Sequence, residues 1–309
     1  MLEYDLIIIG GGPAGAAAGV YASRKRLKTL LITKEWGGQS IESTDIQNWI
    51  GTPSISGPDL AKSLEQHVHA YADDVLTVKS KTLATAVLKQ EDGFQITLQN
   101  EEVVLAKSIL IATGSKRRAL EVPGADIFEN KGLTYCASCD GPMFGGQDVA
   151  VIGGGNAGFE TAAQLLAYSK SVTLIHRGES FKAEPITVNK VLSHPNMRAI
   201  TNVDVLEVTG DKFVNGIRFK DKNTGEEKQI SVSGIFVEIG MLPNTDFVKD
   251  TLPLDQHGRI KIDPWTQQTD VPGIWAAGDC TNIKYHQNNI AAGDAVRAVE
   301  DIYVTLKTK

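Results

Sequence analysis

A glycine-rich turn occurs twice in this sequence, and each copy lies between an apolar run and a stretch rich in small residues. The first turn, Gly10–Gly15, follows Leu6–Ile9, and the second, Gly153–Gly158, follows Val149–Ile152. A further apolar run follows each copy. Strand, glycine turn, helix and strand form the opening of a dinucleotide-binding fold. The sequence therefore predicts two such folds in one chain.

The three motif glycines of each copy have different predicted roles, because glycine alone lacks a Cβ. The first permits a tight turn, the second lets the backbone approach a pyrophosphate, and the third lets the helix pack close to its strand. The helix N-terminus faces the phosphates. These glycines are Gly10, Gly12 and Gly15 in the first copy and Gly153, Gly155 and Gly158 in the second.

Two later apolar runs indicate that the first fold is interrupted by the second. Ser108–Ala112 ends in Thr113 and Gly114, and Gly273–Ala277 ends in Gly278 and Asp279. Both runs resemble strands that lead into turns, and the second glycine copy lies between them. Short alternating strands at 70–107 and 200–235 are expected to form β-meander insertions.

The predicted fold class is therefore α/β, with two Rossmann-like nucleotide-binding domains, the second inserted into the first. The expected bounds are 1–115 and 244–309 for the two parts of the split nucleotide-binding domain, and 116–243 for the inserted nucleotide-binding domain, which carries a CxxC motif.

Composition and charge exclude several classes of function. Hydrophobic residues make up 42% of the chain and charged residues 22%, which is ordinary for a globular protein. The net charge is −6 with scattered Lys and Arg, so no nucleic-acid partner is expected. The apolar runs are too short to span a bilayer, and Glu3 and Asp5 replace the basic start of a signal peptide. We expect a cytoplasmic protein.

The chain has three cysteines, and two of them form a CxxC motif at Cys136 and Cys139. Zinc normally needs four ligands, and no further Cys or His pair supplies them, so no metal is expected. The pair could be purely structural, because buried cysteine behaves as a small hydrophobe. In a reducing compartment, a redox-active dithiol is the favoured interpretation.

Asp140 follows the second cysteine and has two possible roles. Its carboxylate could transfer a proton when a thiolate forms or leaves. It could equally stabilise the turn that begins at Gly141.

A set of motifs along the whole chain resembles one family of flavoproteins. Their order and spacing are similar to those of the low-molecular-weight thioredoxin reductases. The chain also resembles the reductase portion of the flavoprotein subunit of alkyl hydroperoxide reductase, most strongly from Gly234 to Asp279. The motifs are Gly10–Gly15, Gly37–Gln39, Asn48–Trp49, Ala112–Gly114, Cys136–Gly141, Gly153–Asn156 and Ala277–Asp279.

The resemblance implies a homodimer with FAD in the split domain and a nicotinamide cofactor in the inserted one. It also implies that Cys139 faces the flavin, while Cys136 attacks a disulfide of thioredoxin or a thioredoxin-like protein. Rotation of the inserted domain about hinges at Gly114–Lys116 and Met241–Asn244 would bring nicotinamide and dithiol to the flavin in turn.

The resemblance also implies which residues bind each cofactor. For FAD these are, besides the first glycine turn with Pro13 and Ala14, the residues Thr33, Glu35, Gly38, Gln39, Asn48, Thr113, Gly114, Gly278, Asp279, His286, Gln287 and Asn288. For the nicotinamide nucleotide they are, besides the second glycine turn, Asn156, His176, Arg177 and Lys182.

The nucleotide site departs from the pattern of the NADPH-dependent members, which have His-Arg-Arg and a further Arg to bind the 2′-phosphate. Here Gly178 and Lys182 replace two of those arginines. Lysine is only a point charge, so selectivity for the phosphate is expected to fall. NADPH is ranked first because Arg177 and Lys182 remain; NADH and a non-pyridine donor, such as ferredoxin or another flavin, stay open.

Two further departures concern the FAD domain, where Glu35 lies two residues beyond the expected end of its strand at Thr33, and His286 replaces an Arg. A His near the flavin predicts a flavin potential that changes between about pH 6 and 8.

Other functions stay open beside the thioredoxin reductase interpretation. A reductase serving a peroxiredoxin system would need thioredoxin-like domains, which are expected on a separate protein because the chain starts at its first Rossmann strand. A dithiol oxidase is disfavoured by the retained second glycine turn. The non-enzymatic alternative is a flavin-binding redox sensor that uses Cys136 and Cys139 as a switch.

Overall fold

The computed structural model describes residues 3–43, 46, 48–72 and 74–307, apart from the side chains of Glu42, Ser138 and Cys139. The chain divides into two compact units. The first comprises Met1–Lys116 and Leu242–Lys309, and the second is Arg117–Met241. Within the described ranges, no helix has the length and apolar character needed to cross a membrane.

The first unit contains a seven-stranded sheet with three helices, and a short two-stranded pairing at its boundary. Its strands are β1 (Tyr4–Gly11), β2 (Thr29–Trp36), β3 (Leu76–Ser80), β4 (Ala84–Lys89), β5 (Phe94–Leu98), β6 (Val103–Ile111) and β17 (Ile274–Ala276). Its helices are α1 (Pro13–Arg24), α2 (Gly57–Ala70) and α6 (Asn288–Lys307), with 3-10 turns at Gly38–Glu42 and Asp246–Val248. Strands β7 (Ser115–Arg117) and β16 (Met241–Pro243) each contain residues of both units.

The centre of this sheet explains why β1 is continuously apolar. The strand order is β3-β2-β1-β6-β5-β4, and β17 also pairs with β6. Leu6 and Ile8 pack into a core with α1 and α6, whereas Ile7 and Ile9 pack into the core on the opposite face. A parallel strand covered on both faces needs apolar residues at every position.

Three details of this unit differ from the sequence-based expectation. Strand β3 pairs in parallel with β2, so the meander contains only β4, β5 and β6. The run from Ser108 is the second half of the single long strand β6. Strand β2 continues past Thr33 to Trp36, because Gly11 pairs with Trp36 across a register irregularity.

The second unit has a parallel sheet of its own, which is predicted by the second glycine copy. Its order is β11-β10-β9-β15-β8, and every described pairing in it is parallel. The strands are β8 (Leu133–Thr134), β9 (Asp148–Ile152), β10 (Ser171–Ile175), β11 (Met197–Ile200) and β15 (Gly234–Val237), and the helices are α3 (Ala137–Asp140), α4 (Asn156–Leu165) and α5 (Pro185–Leu192), with a 3-10 turn at Gly141–Phe144.

A separate three-stranded antiparallel sheet follows β11, formed by β12 (Val203–Gly210), β13 (Val214–Asp221) and β14 (Glu227–Ser231). The chain enters the second unit through β7 and leaves it through β16, and these two strands pair with each other. Both predicted hinge segments overlap this pair. The fold class predicted from the sequence, with two Rossmann-like units, is confirmed by this topology.

Candidate functional site

The first glycine turn is a tight link between β1 and α1. Gly10 has φ of +124°, and a Cβ at this position would lie 2.1 Å from the carbonyl oxygen of Ala112. A Cβ on Gly15 would lie 1.8 Å from the carbonyl oxygen of Gly10. Both positions therefore exclude any side chain, one for the turn and one for the approach of helix to strand.

Gly12 is different, because the space around it is open. Among the described residues, a Cβ there would have only the backbone of Gly38 near it, at 3.9 Å. Gly12 is also the N-cap of α1, and no described side chain caps the helix. An uncapped helix N-terminus beside an open glycine provides free N–H donors for an anion. The residues present therefore fit the pyrophosphate of FAD, with Pro13 and Ala14 forming the first turn of the helix.

Hydrogen bonds join Ser40 and Asn48 to the residues at the start of α6. Ser40 Oγ donates to Asn288 Oδ1 at 3.0 Å, and Asn48 Nδ2 donates to Gln287 Oε1 at 3.1 Å. The sequence motifs indicated Asn48, Gln287 and Asn288 separately. They did not indicate Asn289, although its Nδ2 donates to the Asn48 carbonyl at 2.7 Å. Its only signal in the sequence is its place in a run of amide side chains.

Other predicted FAD residues lie in the second half of β2 or just beyond the ends of β2 and β6. Thr33 Oγ1 donates to the Glu35 carbonyl at 2.6 Å, and the Glu35 side chain is exposed within β2. Gln39 Nε2 donates to the Ser115 carbonyl at 2.6 Å. Thr113 Oγ1 donates to the Asn244 carbonyl at 2.7 Å.

The acidic turn after β17 places a carboxylate beside a histidine. Gly278 has φ of +76°, which lets the chain turn at Asp279. Asp279 Oδ1 lies 3.3 Å from Nδ1 of His286, and both side chains are partly exposed. The turn thus brings two of the predicted FAD-binding residues, Asp279 and His286, into contact.

The second glycine turn repeats the geometry of the first. Gly153 has φ of +128°, and a Cβ there would lie 2.1 Å from the Glu238 carbonyl oxygen. A Cβ on Gly158 would lie 2.0 Å from the Gly153 carbonyl oxygen, whereas a Cβ on Gly155 would have no described atom within 4 Å. Helix α4 has no side-chain cap in the described part of the chain, so its N-terminus is also suited to a phosphate. Asn156 Oδ1 accepts from the Glu184 backbone N–H at 2.9 Å.

His176, directly after β10, is buried rather than open to a ligand. Its Nε2 lies 3.0 Å from the Ser180 carbonyl oxygen, and its ring packs on Phe181 and Gly154. Burial lowers the pKa of His176, and the Ser180 carbonyl opposes that effect. The imidazole is therefore neutral near pH 7 and adds no positive charge for a 2′-phosphate.

The cations around His176 are more exposed. Arg177 and Lys182 are both exposed, and the backbone N–H of Lys182 donates to the Gly154 carbonyl at 2.8 Å. Lys222, which no sequence motif indicated, donates from Nζ to the Arg177 carbonyl at 2.8 Å. It comes from the turn after β13, so only the fold could bring it here.

Glu238 is a second residue that no sequence motif indicated. It follows β15 directly, and its side chain is only 15% exposed. Thr161 Oγ1 donates to Glu238 Oε1 at 2.8 Å, and Arg117 Nη1 lies 3.7 Å from the same oxygen. Burial raises the pKa of Glu238, while Thr161 and Arg117 oppose the rise.

The CxxC motif lies at the start of the short helix α3. Cys136 is disulfide-bonded and half-buried, and the side chain of Cys139 lies outside the described residues. The Cys136 backbone N–H donates to Thr134 Oγ1 at 3.3 Å, and the Thr134 hydroxyl donates to Asp140 Oδ2. Asp140 is the N-cap of the following 3-10 turn but accepts no capping hydrogen bond from the described residues there. Its carboxylate is thus tied to the cysteine loop.

Residues 4–294 match the pyridine nucleotide-disulphide oxidoreductase family. The chain is 40% identical over 295 residues to a Bacillus subtilis protein described as an NADH dehydrogenase, and 40% identical over 296 residues to the F subunit of the Escherichia coli alkyl hydroperoxide reductase. Each match covers 96% of this chain and 57% of the relative. The chain therefore spans little more than half the length of these curated relatives.

Solved structures of similar proteins match over their full length. The Lactococcus lactis thioredoxin reductase is 32% identical with a TM-score of 0.79, covering 99% of this chain and 100% of that one. The T. acidophilum thioredoxin reductase is 36% identical with a TM-score of 0.75, covering 98% of each chain. The resemblance stated from the motifs is confirmed, and with it a flavoprotein oxidoreductase fold that uses FAD and a pyridine nucleotide.

Proposed function

Because the chain belongs to the pyridine nucleotide-disulphide oxidoreductase family, we propose that it is a disulfide reductase acting on a thioredoxin-like protein. Electrons would pass from a pyridine nucleotide through FAD to the Cys136–Cys139 pair and then to the partner. The observation that carries this proposal is the disulfide-bonded Cys136, held by Thr134 and Asp140 in a unit that has its own glycine turn.

FAD is assigned to the first unit and the pyridine nucleotide to the second. The uncapped helices α1 and α4, each beside an open glycine, support both assignments. Bound FAD would supply two-electron transfer between the nucleotide and the disulfide. We further propose a cytoplasmic homodimer, by similarity to the thioredoxin reductases.

The protein's own residues carry the last step. The Cys136 thiolate attacks a disulfide of the partner and forms a mixed disulfide, with one partner sulfur leaving as a thiolate. Cys139 then attacks Cys136, which re-forms the internal disulfide and releases the reduced partner. Asp140, tied to the loop through Thr134, is placed to give or take the proton that these thiolates exchange.

A Cys139→Ser variant tests this direction, because it removes the thiol that resolves the mixed disulfide. We expect a covalent adduct between Cys136 and purified thioredoxin, detected by non-reducing electrophoresis and mass spectrometry. Cys280→Ser is the matched control: Cys280 is buried, its pKa is raised to about 11, and its loss should trap nothing. An adduct formed by Cys136→Ser but not by Cys139→Ser would reverse the proposed roles.

The second candidate is a reductase of a peroxiredoxin system. It is favoured by the 40% identity to the F subunit of alkyl hydroperoxide reductase, of which this chain spans 57%. The same trapping experiment separates the two. Under this candidate, Cys139→Ser forms its adduct with the thioredoxin-like domain of such a system and leaves free thioredoxin unmodified.

For the electron donor, we propose NADPH with little selectivity over NADH. Arg177 and Lys182 remain exposed for a 2′-phosphate, whereas the lowered pKa of His176 keeps that side chain neutral. Anaerobic titration of the flavin with each nucleotide tests the donor. If neither bleaches the flavin at millimolar concentration, a non-pyridine donor replaces this proposal.

A further inference from the structure

Glu238 lies where the order of the parallel sheet in the second unit reverses. Strand β9 carries the glycine turn, with β10 on one side and β15 on the other. In open α/β sheets, ligands bind at the carboxyl ends of the strands at this switch point. Glu238 is the first residue after β15, so its carboxyl stands at that position.

The contacts of Glu238 fix the carboxyl there. Its backbone carbonyl packs against Gly153, and its Oε1 accepts a hydrogen bond from Thr161 Oγ1 at 2.8 Å. The charged groups that face it are Arg117 from β7, with Nη1 at 3.7 Å, and Glu160 from α4. The carboxyl is thus shielded from water, with one hydrogen bond and one cation on the same oxygen.

The general geometry of this fold leads us to expect Glu238 beside the nicotinamide half of a bound dinucleotide. In this fold the adenosine ribose lies at the end of the second strand, which is β10 here, and the pyrophosphate lies at the glycine turn. The other half of the nucleotide then continues toward β15. The two redox forms of that half differ in charge, because the oxidised nicotinamide ring is a cation and the reduced ring is neutral.

Resting on the proposed pyridine nucleotide donor, we propose that Glu238, opposed by Arg117, sets the relative affinity for oxidised and reduced cofactor. An ionised Glu238 favours the cationic oxidised ring over the neutral reduced ring. Arg117 offsets part of this preference, so the pair limits how tightly the spent cofactor is retained after it has given up its electrons.

The preference for the oxidised over the reduced cofactor should increase with pH. Burial raises the pKa of Glu238 above its ordinary value, with Glu160 adding to the rise and Thr161 and Arg117 opposing it. As pH rises through this raised pKa, the carboxyl ionises. The affinity for the oxidised form should then increase relative to the reduced form, whereas a neutral side chain at position 238 should give no such trend.

Calorimetric binding to the FAD-loaded full chain tests the proposal without turnover. The probes are NADP+ and NAD+, each compared with its tetrahydro analogue, which has an uncharged ring and cannot donate hydride. We expect Glu238→Gln to lower the preference for the oxidised form about fivefold at pH 8. In the unaltered protein, the preference should fall as the pH is lowered from about 8 to 5.

Glu179→Gln is the matched control, because it removes one negative charge from the loop after β10, at the adenosine end. Both redox forms share that end, so their affinities should change by the same factor and leave the preference unaltered. Arg117→Gln should shift the preference toward the oxidised form, opposite to Glu238→Gln.

Two failures are distinguishable. If none of the probes binds at millimolar concentration, the pyridine nucleotide donor itself is wrong. If the probes bind but Glu238→Gln keeps the preference within twofold of the unaltered protein, and that preference does not vary with pH, the role of Glu238 is wrong while the donor stands.

Discussion

His176 shows how one side chain can hold a motif position without performing the expected role. A histidine at this position matches the His-Arg pattern of an NADPH site. However, the His176 ring is buried against Gly154 and Phe181, and its pKa is lowered. We therefore expect Arg177 and Lys182, which are both exposed, to supply the positive charge for a 2′-phosphate. Charge-assisted contacts of this kind contribute about 1.5–3 kcal/mol each when well formed.

Arg177→Gln should therefore lower kcat/KM for NADPH about tenfold, because one charge-assisted phosphate contact is lost. The value for NADH should stay within twofold, since NADH has no 2′-phosphate. Steady-state kinetics with both nucleotides measures the ratio. Lys228→Gln removes an equal charge from β14, where Lys228 pairs with Glu226, and serves as the control. Equal losses for both nucleotides would contradict a phosphate-binding role.

Asp294 gives a prediction about stability. It is buried in α6, its Oδ2 has no hydrogen-bond partner among the described residues, and burial raises its pKa although Arg297 opposes the rise. Because the pKa of Asp294 is raised in the folded protein, protonation of its carboxyl stabilises the fold. This contribution to the unfolding free energy is fully present below the pKa of the unfolded chain and is lost as the pH rises through the pKa of the folded protein. Asp294→Asn should therefore stabilise the FAD-free protein by about 1 kcal/mol at pH 7.

At pH 3 the same substitution should give little gain, because this pH lies below the ordinary aspartate pKa of about 3.9 and the carboxyl is then largely protonated in both states. Urea unfolding at the two pH values measures the difference. Asp301→Asn is the control on the same helix, because Asp301 Oδ2 accepts a hydrogen bond from Trp275 Nε1 at 2.9 Å. A gain for Asp301→Asn equal to that for Asp294→Asn would show that charge on α6, rather than the burial of Asp294, is responsible.

At the scale of elements, two glycines of the first turn have different roles that the sequence motif alone does not distinguish. Gly15 allows β1 and α1 to pack closely, whereas Gly12 leaves open space at the start of α1. Gly15→Ala would place a Cβ 1.8 Å from the Gly10 carbonyl oxygen, so β1 and α1 must move apart. We expect a loss of at least about 3 kcal/mol in the unfolding free energy of the FAD-free protein. Gly12→Ala has room and should change that free energy by less than about 1 kcal/mol.

For FAD binding, in contrast to stability, we expect a large effect of Gly12→Ala. Its added methyl group points into open space beside the uncapped start of α1, so Gly12→Ala should weaken FAD binding at least tenfold while the fold survives. Flavin absorbance after gel filtration, with urea unfolding of the same samples, measures both effects. Normal FAD affinity in Gly12→Ala would remove this turn from the cofactor site.

The local elements were largely predictable, and the long-range pairings were not. Continuous apolar runs and glycine spacing predicted β1, β9 and the turns after them. Nothing in the residues around β3 distinguished a parallel partner of β2 from an antiparallel meander, because the pairing joins segments far apart in the chain. Glu238 and Lys222 were missed for the same reason, since only the folded sheets bring them to Gly153 and Arg177.

At the scale of the molecule, each unit has apolar cores of its own. Leu6 and Ile7 lie in separate clusters of the first unit, and Val149 and Ala150 in separate clusters of the second. A domain with its own cores can fold alone. The segment 117–241 expressed by itself should therefore unfold cooperatively in urea and bind a pyridine nucleotide in calorimetry. A non-cooperative transition would show that it depends on the rest of the chain.

The interrupted course of the first unit also fixes an order of events during synthesis. Strand β17 and helix α6, which complete the sheet and cover its core, are made only after the whole inserted unit. At about 5–20 residues per second, that delay is on the order of ten seconds. The inserted unit can bury its apolar residues within this interval. The unit whose chain starts second is thus the first to be completed on the ribosome, and the first unit must wait with its core uncovered.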